Sequence, residues 1–183
     1  MGDELNLDRV DVFTTGAVGV PGRRTFYLQA RVGEQVVSVR CEKQQAAAIA
    51  LYLRRALAHL PIVEGKMFRE PMSLVEPDDE EFVLGSVGLE FNKSSDLFTL
   101  VLREFDAPEE VDASDDSDDD FDDEADDDDA DIDEGPSVRI SITRVQALAF
   151  CDQTDRVVAA GRPDCEYCGR PVDLEGHFCP RMN

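Results

Sequence analysis

The residues best suited to chemistry lie near the C-terminus, in the segment PDCEYCGRPVDLEGHFCPRMN. Cys165 and Cys168 have the C-x-x-C spacing that lets two thiolates from one tight turn face a single ion. Gly169 follows directly and suits the positive φ that such a turn requires. His177 and Cys179 are two residues apart, so on an extended segment both side chains leave the same face. These two pairs predict one structural Zn²⁺ per chain, with four protein ligands and no coordination position left open for catalysis.

The charge of such a site and the alternatives to it can also be read from the sequence. Three thiolates exceed the two charges of Zn²⁺ by one, and Arg162, Arg170 and Arg181 are close enough in the chain to offset that excess. A redox role for the C-x-x-C pair stays open, although the pair does not open a helix after a strand as redox motifs do. The four residues could also be unrelated. If they do bind metal, this segment is expected to fold only with it.

A weaker candidate site contains Gly16, Gly19 and Gly22, followed by Arg23 and Arg24. Backbone N–H groups freed by glycine and two guanidinium groups suit a phosphate. The spacing, however, matches neither the dinucleotide fingerprint nor the P-loop, and a strand follows where those motifs need a helix. The pattern therefore favours a turn between two strands, and phosphate binding is kept as the alternative.

Outside these two places the sequence offers no set of catalytic residues. His59 lies at the end of a predicted helix, where the helix dipole favours a cation. Cys41 falls on the apolar face of a predicted strand and Cys151 in the middle of a predicted helix, so both are expected to be small core residues. A non-enzymatic role is therefore favoured, with catalysis left open.

The negative charge of the chain is concentrated in one segment. The 183 residues carry a net charge of −23, yet residues 106–135 alone hold 19 acidic side chains and no basic one. Self-repulsion and a scarcity of apolar residues predict a disordered acidic insertion, which either only solubilises the chain or attracts a basic partner. A calcium loop is disfavoured because Asp stands where the EF-hand turn needs Gly.

Several classes of protein are disfavoured by the rest of the composition. The longest apolar run, Ala46–Leu53, is far shorter than the roughly 18 residues that span a bilayer, and the charged N-terminus does not resemble a secretory signal. An acidic chain is a poor ligand for nucleic acid. The sequence therefore predicts a cytoplasmic protein that acts neither in a membrane nor on nucleic acid.

The elements that must position these residues follow from hydrophobic periodicity. Strands are predicted at 8–13, 25–32, 36–41, 82–91, 97–105 and 138–142, with one helix ending at Pro61 and a second running from the capping box Thr143–Gln146 to about Ala160. The predicted class is α+β: an antiparallel sheet with helices packed on one face, plus a small C-terminal zinc knuckle. The body would span residues 1–160, interrupted by the acidic insertion at 106–135 between two paired strands, and the knuckle residues 161–183.

Two segments together resemble a known family. VGVPGRRTFYLQAR near the start and CEYCGRPVDLEGHFCPRMN at the end are similar to an actinobacterial family labelled domain of unknown function 3090. The resemblance covers nearly the whole chain except the acidic insertion, and Cys165, Cys168, His177 and Cys179 match the C-terminal motif. It implies no established activity. It does imply partners, because relatives tend to be encoded near a lipid-kinase-like protein and a phosphomutase-like phosphatase.

Two functions of different classes remain. The first is a cytoplasmic, zinc-stabilised binding or adaptor protein that works through protein–protein contacts, since the metal site is closed and the acidic insertion is available for electrostatic docking. The alternative is an enzyme or enzyme subunit acting on a phosphorylated substrate through Gly16–Arg24. Nucleic-acid binding through the knuckle is disfavoured by the charge balance.

Overall fold

The computed structural model describes residues 4–62, 68–105, 135–161, 165–170, 172 and 176–182. In these parts of the chain the elements are, in order, β1 (Glu4–Leu7), β2 (Val12–Val18), β3 (Thr25–Val32), β4 (Gln35–Cys41), α1 (Lys43–Ala58), β5 (Leu84–Asn92), β6 (Leu97–Glu104), β7 (Ser137–Thr143) and α2 (Arg144–Ala159). Strands grouped in hairpins, with two helices between and after them, confirm the α+β class.

The strands form two sheets that lie next to each other in the fold. One has the order β1-β7-β6-β5 and the other β2-β3-β4. All neighbours are antiparallel except β1 and β7, which run parallel. Arg40 of β4 forms a parallel bridge with Val83, just before β5, and thereby links the two sheets. The sequence predicts one sheet, whereas the structure distributes the strands between two sheets.

The predicted strands at 25–32 and 36–41 are confirmed and form the hairpin β3–β4, whereas of the predicted strand at 8–13 only Val12 and Phe13 lie in a strand, β2. The short strand β1 ends at Leu7, before the predicted start, and β2 begins at Val12 and continues to Val18. The glycines and the proline of TTGAVGVPGRR predict a turn that starts at Thr14, yet Thr14 and Thr15 are buried in β2. The Thr14 hydroxyl donates to the Met72 carbonyl at 2.6 Å and the Thr15 hydroxyl to the Tyr27 carbonyl at 3.0 Å, so both polar groups are satisfied inside the protein.

The polar face of β3 is covered by the irregular segment 71–75. Gln29 is fully buried, and its side-chain amide exchanges two hydrogen bonds with the backbone of Val75, donating at 2.8 Å and accepting at 3.0 Å. Its Nε2 also donates to the Ser38 hydroxyl at 3.0 Å. A strand whose alternation predicts one solvated face is therefore covered on both, because residues distant in sequence supply the partners of its polar groups.

The opposite face of the β2–β3–β4 sheet packs against α2. The rings of Phe13 on β2 and Phe150 on α2 are stacked with their centroids 4.6 Å apart. The predicted capping box of α2 is confirmed. The backbone N–H of Gln146 donates to the Thr143 hydroxyl at 3.3 Å, and the backbone N–H of Thr143 donates to Gln146 Oε1 at 2.8 Å. Gln146 Nε2 donates in addition to the Val10 carbonyl at 2.6 Å, which fixes the connection between β1 and β2 on the start of this helix.

The strands on either side of the acidic insertion pair with each other, as predicted. β6 and β7 are antiparallel, with Leu97 opposite Thr143 and Arg103 opposite Ser137. The predicted disorder of 106–135 falls on residues outside the described ranges, apart from Gly135. The Glu104 N–H donates to the Pro136 carbonyl at 3.1 Å, so the sheet holds close together the residues on either side of segment 106–134.

Because the sheet already holds these ends together, replacement of residues 106–134 by a short Gly-Ser linker is expected to change the melting temperature by no more than a few degrees. Closing a loop costs free energy only with the logarithm of its length, so shortening it stabilises by about 1 kcal/mol. Thermal unfolding of both chains checks this. A full-length chain in which Asn and Gln replace the Asp and Glu of the segment shows the effect of the charge on stability without a change in loop length. A large loss of stability on replacement would contradict the prediction.

None of the helices in the described parts of the chain has the length and apolarity that crossing a bilayer requires.

Candidate metal site

The four predicted ligands are brought together at the C-terminus. The ligand atoms of Cys165, Cys168, His177 and Cys179 all lie within 4.8 Å of one another. Cys168 Sγ is 3.1 Å from His177 Nε2, and Cys165 Sγ is 3.9 Å from Cys179 Sγ. In a tetrahedron with Zn–S bonds of about 2.3 Å, sulfur atoms are separated by about 3.8 Å. The spacing of the donors therefore fits one tetrahedral metal ion.

The backbone explains why the first two thiols converge. The Gly169 N–H donates to the Cys165 carbonyl at 2.8 Å, and the Cys165 N–H donates to the Arg170 carbonyl at 2.8 Å, closing a tight turn around the C-x-x-C pair. Gly169 has φ +67°, the left-handed conformation that the sequence predicts for it. A Cβ there would meet no atom within 4 Å, so the backbone conformation rather than lack of space favours glycine.

The thiols of the pair differ in their electrostatics. Hydrogen bonds from the backbone N–H groups of Cys168 and Tyr167 lower the pKa of Cys165. The Arg170 N–H acts in the same direction on Cys168, but desolvation and the neighbouring thiols of Cys165 and Cys179 outweigh it and raise the pKa of Cys168. Cys165 therefore becomes a thiolate first, and the thiolate is the form that binds metal.

The donor set also determines what the site can do. Cysteine sulfur and imidazole nitrogen are ligands of zinc and of other soft or borderline ions, whereas magnesium and calcium prefer oxygen. Cys179 is buried and the other three ligands are partly exposed. Four protein donors around one ion leave no open position for a water or a substrate, which is the arrangement of a structural site.

Exposed apolar side chains alternate with the metal ligands, a feature that sequence reasoning missed. Tyr167 lies within the C-x-x-C pair and is 56% exposed, while Phe178 lies between His177 and Cys179 and is 79% exposed. Met182, close to the last ligand, is 65% exposed. The signal was available: on an extended segment, the residue between two ligands leaves the opposite face.

The weaker glycine candidates occupy different structures and do not form a single loop. Gly16 is buried within β2, paired with Tyr27, and a Cβ there would lie 2.5 Å from Leu74 Cβ. Gly19 and Gly22 have φ +104° and +96° in the turn between β2 and β3. Arg24 donates to the Ala160 carbonyl at the end of α2. Arg23 is exposed at the same turn.

The remaining cysteines and the second histidine are placed as predicted. Cys41 on β4 and Cys151 in α2 are buried, and His59 is the exposed C-cap of α1. Burial raises the pKa of Cys41 to about 12 and that of Cys151 to about 11. The Cys151 thiol donates to the Ala50 carbonyl of α1 at 3.3 Å, so it contributes to the packing of the two helices.

These raised values predict alkaline destabilisation. The folded-state pKa of Cys41 is about 12, above its usual value of 9.0, so the unfolded chain loses this proton first and stability falls as pH rises from about 9 towards 12. By pH 10 the loss attributable to Cys41 is about 1 kcal/mol. Urea unfolding at pH 8 and pH 10 should show a smaller decrease for Cys41→Ala than for the unaltered chain. Equal decreases would contradict the prediction.

A cavity beside the start of α2 is a second feature that sequence reasoning missed. Arg9, Arg31, Glu70 and Thr143 line it, from four separate parts of the fold. No spacing in the sequence connects these residues. The only local signal was Arg31, on the face of β3 that alternation assigns to solvent.

The fold and the site define a class: a two-sheet α+β protein with a C-terminal Cys₃His cluster suited to one metal ion. The chain belongs to the family described as "Protein of unknown function (DUF3090)", whose model matches residues 5–179. The match includes all four ligands. Neither the curated proteins nor the solved structures contain a significant match to the chain.

Proposed function

We propose that this protein is a zinc-stabilised binding or adaptor protein whose C-terminal metal site presents a docking surface to a protein partner. The observation that carries the proposal is that exposed apolar side chains lie between and beside the four candidate metal ligands. Metal binding at Cys165, Cys168, His177 and Cys179 would fix the backbone from which Tyr167, Phe178 and Met182 project.

The chemistry supports zinc as the ion. Three thiols and one imidazole are a common ligand set of structural zinc sites. Because four protein ligands fill the coordination sphere, we propose that the metal stabilises the fold and takes no part in catalysis. Arg170 and Arg181, both exposed and both near the ligands in the chain, can offset the excess negative charge of three thiolates, and the third predicted arginine, Arg162, lies outside the described residues. Thiolate ligands persist where thiols are kept reduced, so the proposal includes a cytoplasmic location.

Tyr167, Phe178 and Met182 are three large apolar side chains that are each exposed within the segment that carries the four ligands. Aromatic residues and methionine are enriched in the buried centres of protein interfaces, where they supply most of the binding energy. If metal binding brings Tyr167, Phe178 and Met182 onto one face, that face would suit a protein partner with an apolar groove. The resemblance to the family directs the first tests to kinase-like and phosphatase-like proteins.

The metal is tested by its stoichiometry in the purified full-length chain. We expect one zinc per chain, and a loss of that zinc in Cys168→Ser because three remaining ligands bind far more weakly. Cys151→Ser is the matched control, since its hydroxyl can still donate to the Ala50 carbonyl and the residue is remote from the ligands in sequence. Absence of zinc from the unaltered chain, or full retention in Cys168→Ser, would exclude the site.

The docking surface is tested by crosslinking and mass spectrometry of captured partners. We expect Tyr167→Ala combined with Phe178→Ala to lose partners while retaining its zinc. Tyr52→Ala is the matched control, because Tyr52 on α1 is exposed to a similar extent, 58%. Partners that survive the double substitution and are lost with Tyr52→Ala would place the docking surface on α1 instead.

The enzyme alternative, with a phosphorylated substrate at Gly16–Arg24, finds less support. The backbone of Gly16 is committed to the β2–β3 pair, and Arg24 is engaged at the end of α2. Gly19, Gly22 and Arg23 remain as the exposed part of that turn. Chemical-shift changes at these three residues on addition of inorganic phosphate would favour the alternative.

A further inference from the structure

Two adjoining depressions lie beside the start of α2. The first, of about 630 Å³, is open to solvent and is bordered by the β1–β2 connection, the end of β3, residues 68–71 and the start of α2. The second, of about 870 Å³, extends it towards the β5–β6 turn. Both are lined by Arg9, Phe68, Glu70, Thr143 and Gln146. Volumes of this size are typical of pockets for small metabolites.

Arg31 gives the first depression its chemical character. One of its terminal nitrogens, Nη2, donates to the Pro71 carbonyl. Its Nε is buried and has no hydrogen-bond partner among the described residues. A buried N–H of a cation without an acceptor is costly, and proteins normally supply one from the chain, from water or from a ligand. The Nε–H of Arg31 is thus a donor that lacks an oxygen.

The charged side chains on the wall of the first depression are balanced, two arginines against two carboxylates: Arg9, Arg31, Asp11 and Glu70. Asp11 accepts a hydrogen bond from the Gly33 N–H at 2.7 Å, which occupies one of its two oxygens and leaves its negative charge in place. Arg9 forms no ion pair with any described residue. The remaining acidic group on the wall of the first depression is Glu70, which is exposed. In the second, Arg144 and Asp96 pair across 2.9 Å, and the wall also includes Asp8 and Arg69.

We propose that the first depression binds a small organic anion through the phosphate or carboxylate group of that anion. The oxyanion accepts from Arg31 Nε–H and from Arg9, while the body of the ligand lies against Phe68 and extends along Thr143 into the second depression. Guanidinium groups suit both kinds of oxyanion, because their N–H donors match the geometry of two oxygens. The site is separate from the C-terminal metal cluster in sequence and does not depend on the docking role proposed for it.

The test uses the full-length, zinc-loaded protein and nuclear magnetic resonance. Ribose 5-phosphate and succinate are the anionic probes, and ribose is the neutral control. Ribose 5-phosphate or succinate, but not ribose, should shift the Arg31 Nε–H resonance and the amides of Val12, Gly33 and Thr143. The two anions distinguish a phosphate site from a carboxylate site. No shift at Arg31 with either anion overturns the proposal.

Variants give the site a quantitative test. Arg31→Gln should weaken binding of the effective anion about tenfold or more, the loss typical of a charged hydrogen bond. Arg55→Gln, at the exposed last turn of α1, should leave the affinity unchanged. Arg9 is exposed, so Arg9→Gln should fold normally and also weaken binding, which keeps the proposal testable if Arg31→Gln does not fold. Unchanged affinity in Arg9→Gln and in any folded Arg31→Gln overturns it.

Glu70 provides a further discriminating variant. If an external anion is the partner of Arg31, Glu70→Gln removes a competing carboxylate and should tighten binding of that anion. If Glu70 itself pairs with Arg31 in solution, Glu70→Gln should lower the melting temperature without tightening binding, and the proposal fails.

Discussion

Removal of the metal is expected to expose three of the five thiols to iodoacetamide while the other two stay unreactive. Cys165, Cys168 and Cys179 would lose the ion that we propose their thiolates bind, and at least Cys165 has a pKa lowered by backbone N–H groups. Cys41 and Cys151 are buried with raised pKa values. Because only the thiolate reacts, the raised pKa and the burial together should slow alkylation of these two at pH 8 by roughly a thousandfold or more.

Mass spectrometry gives the number of alkylated thiols directly. Before chelation few or no thiols should react, after chelation three should react rapidly, and in denaturant all five should react. The sites can be assigned by peptide mapping. Rapid alkylation of all five thiols on chelation alone would show that metal loss unfolds the body as well as the C-terminal segment.

Replacement of Gln29 by alanine is expected to lower the free energy of unfolding by about 3 kcal/mol. Gln29 is fully buried, and its amide satisfies the N–H and carbonyl of Val75 as well as the Ser38 hydroxyl. Alanine would leave these three groups unpaired under the cover formed by 71–75 and would create a cavity, and each unpaired buried group costs about 1–3 kcal/mol unless water enters.

Urea unfolding measures this loss as a shift of the midpoint by about 1–2 M. Gln44→Ala is the matched control, since Gln44 is exposed on α1 and its replacement should change stability by less than about 0.5 kcal/mol. Equal effects of the two substitutions would mean that the segment 71–75 does not depend on Gln29 for its attachment.

The parts of the protein that the sequence predicts well are those defined by local spacing. Cys165, Cys168, His177 and Cys179 lie within 15 residues of one another, so their convergence depends on two turns and little else. The capping box Thr143–Gln146 is equally local, and both appear in the structure as predicted. The β3–β4 hairpin succeeds for the same reason, because its alternation and its turn are contiguous.

What local spacing does not predict is structure that depends on distant residues. Gln29 and Arg31 are polar residues at alternating positions, a pattern that indicates solvent, yet Val75 and Pro71 from an irregular segment bond to them. The parallel pairing of β1 with β7 joins Glu4 to Ser137 and leaves no periodic signal in either strand alone. The cavity beside α2 is assembled in the same way from four separate segments, and for this reason its arginines could not be grouped in advance.

The parallel pairing of β1 with β7 also sets the order in which the protein can be completed during translation. Leu7 pairs with Ile140, so β1 waits for its neighbour until more than 130 further residues have been synthesised, about 10 s at ribosomal rates. β6, which ends at Glu104, waits a shorter time for β7, which begins at Ser137 and lies between β6 and β1 in the sheet. Pairings between residues so distant in sequence slow folding, because the entropy of closing the long loop is lost before the contacts form. The β2–β3–β4 sheet contains only sequential neighbours and is free of this delay, so the nascent chain acquires the smaller sheet first and the larger one last.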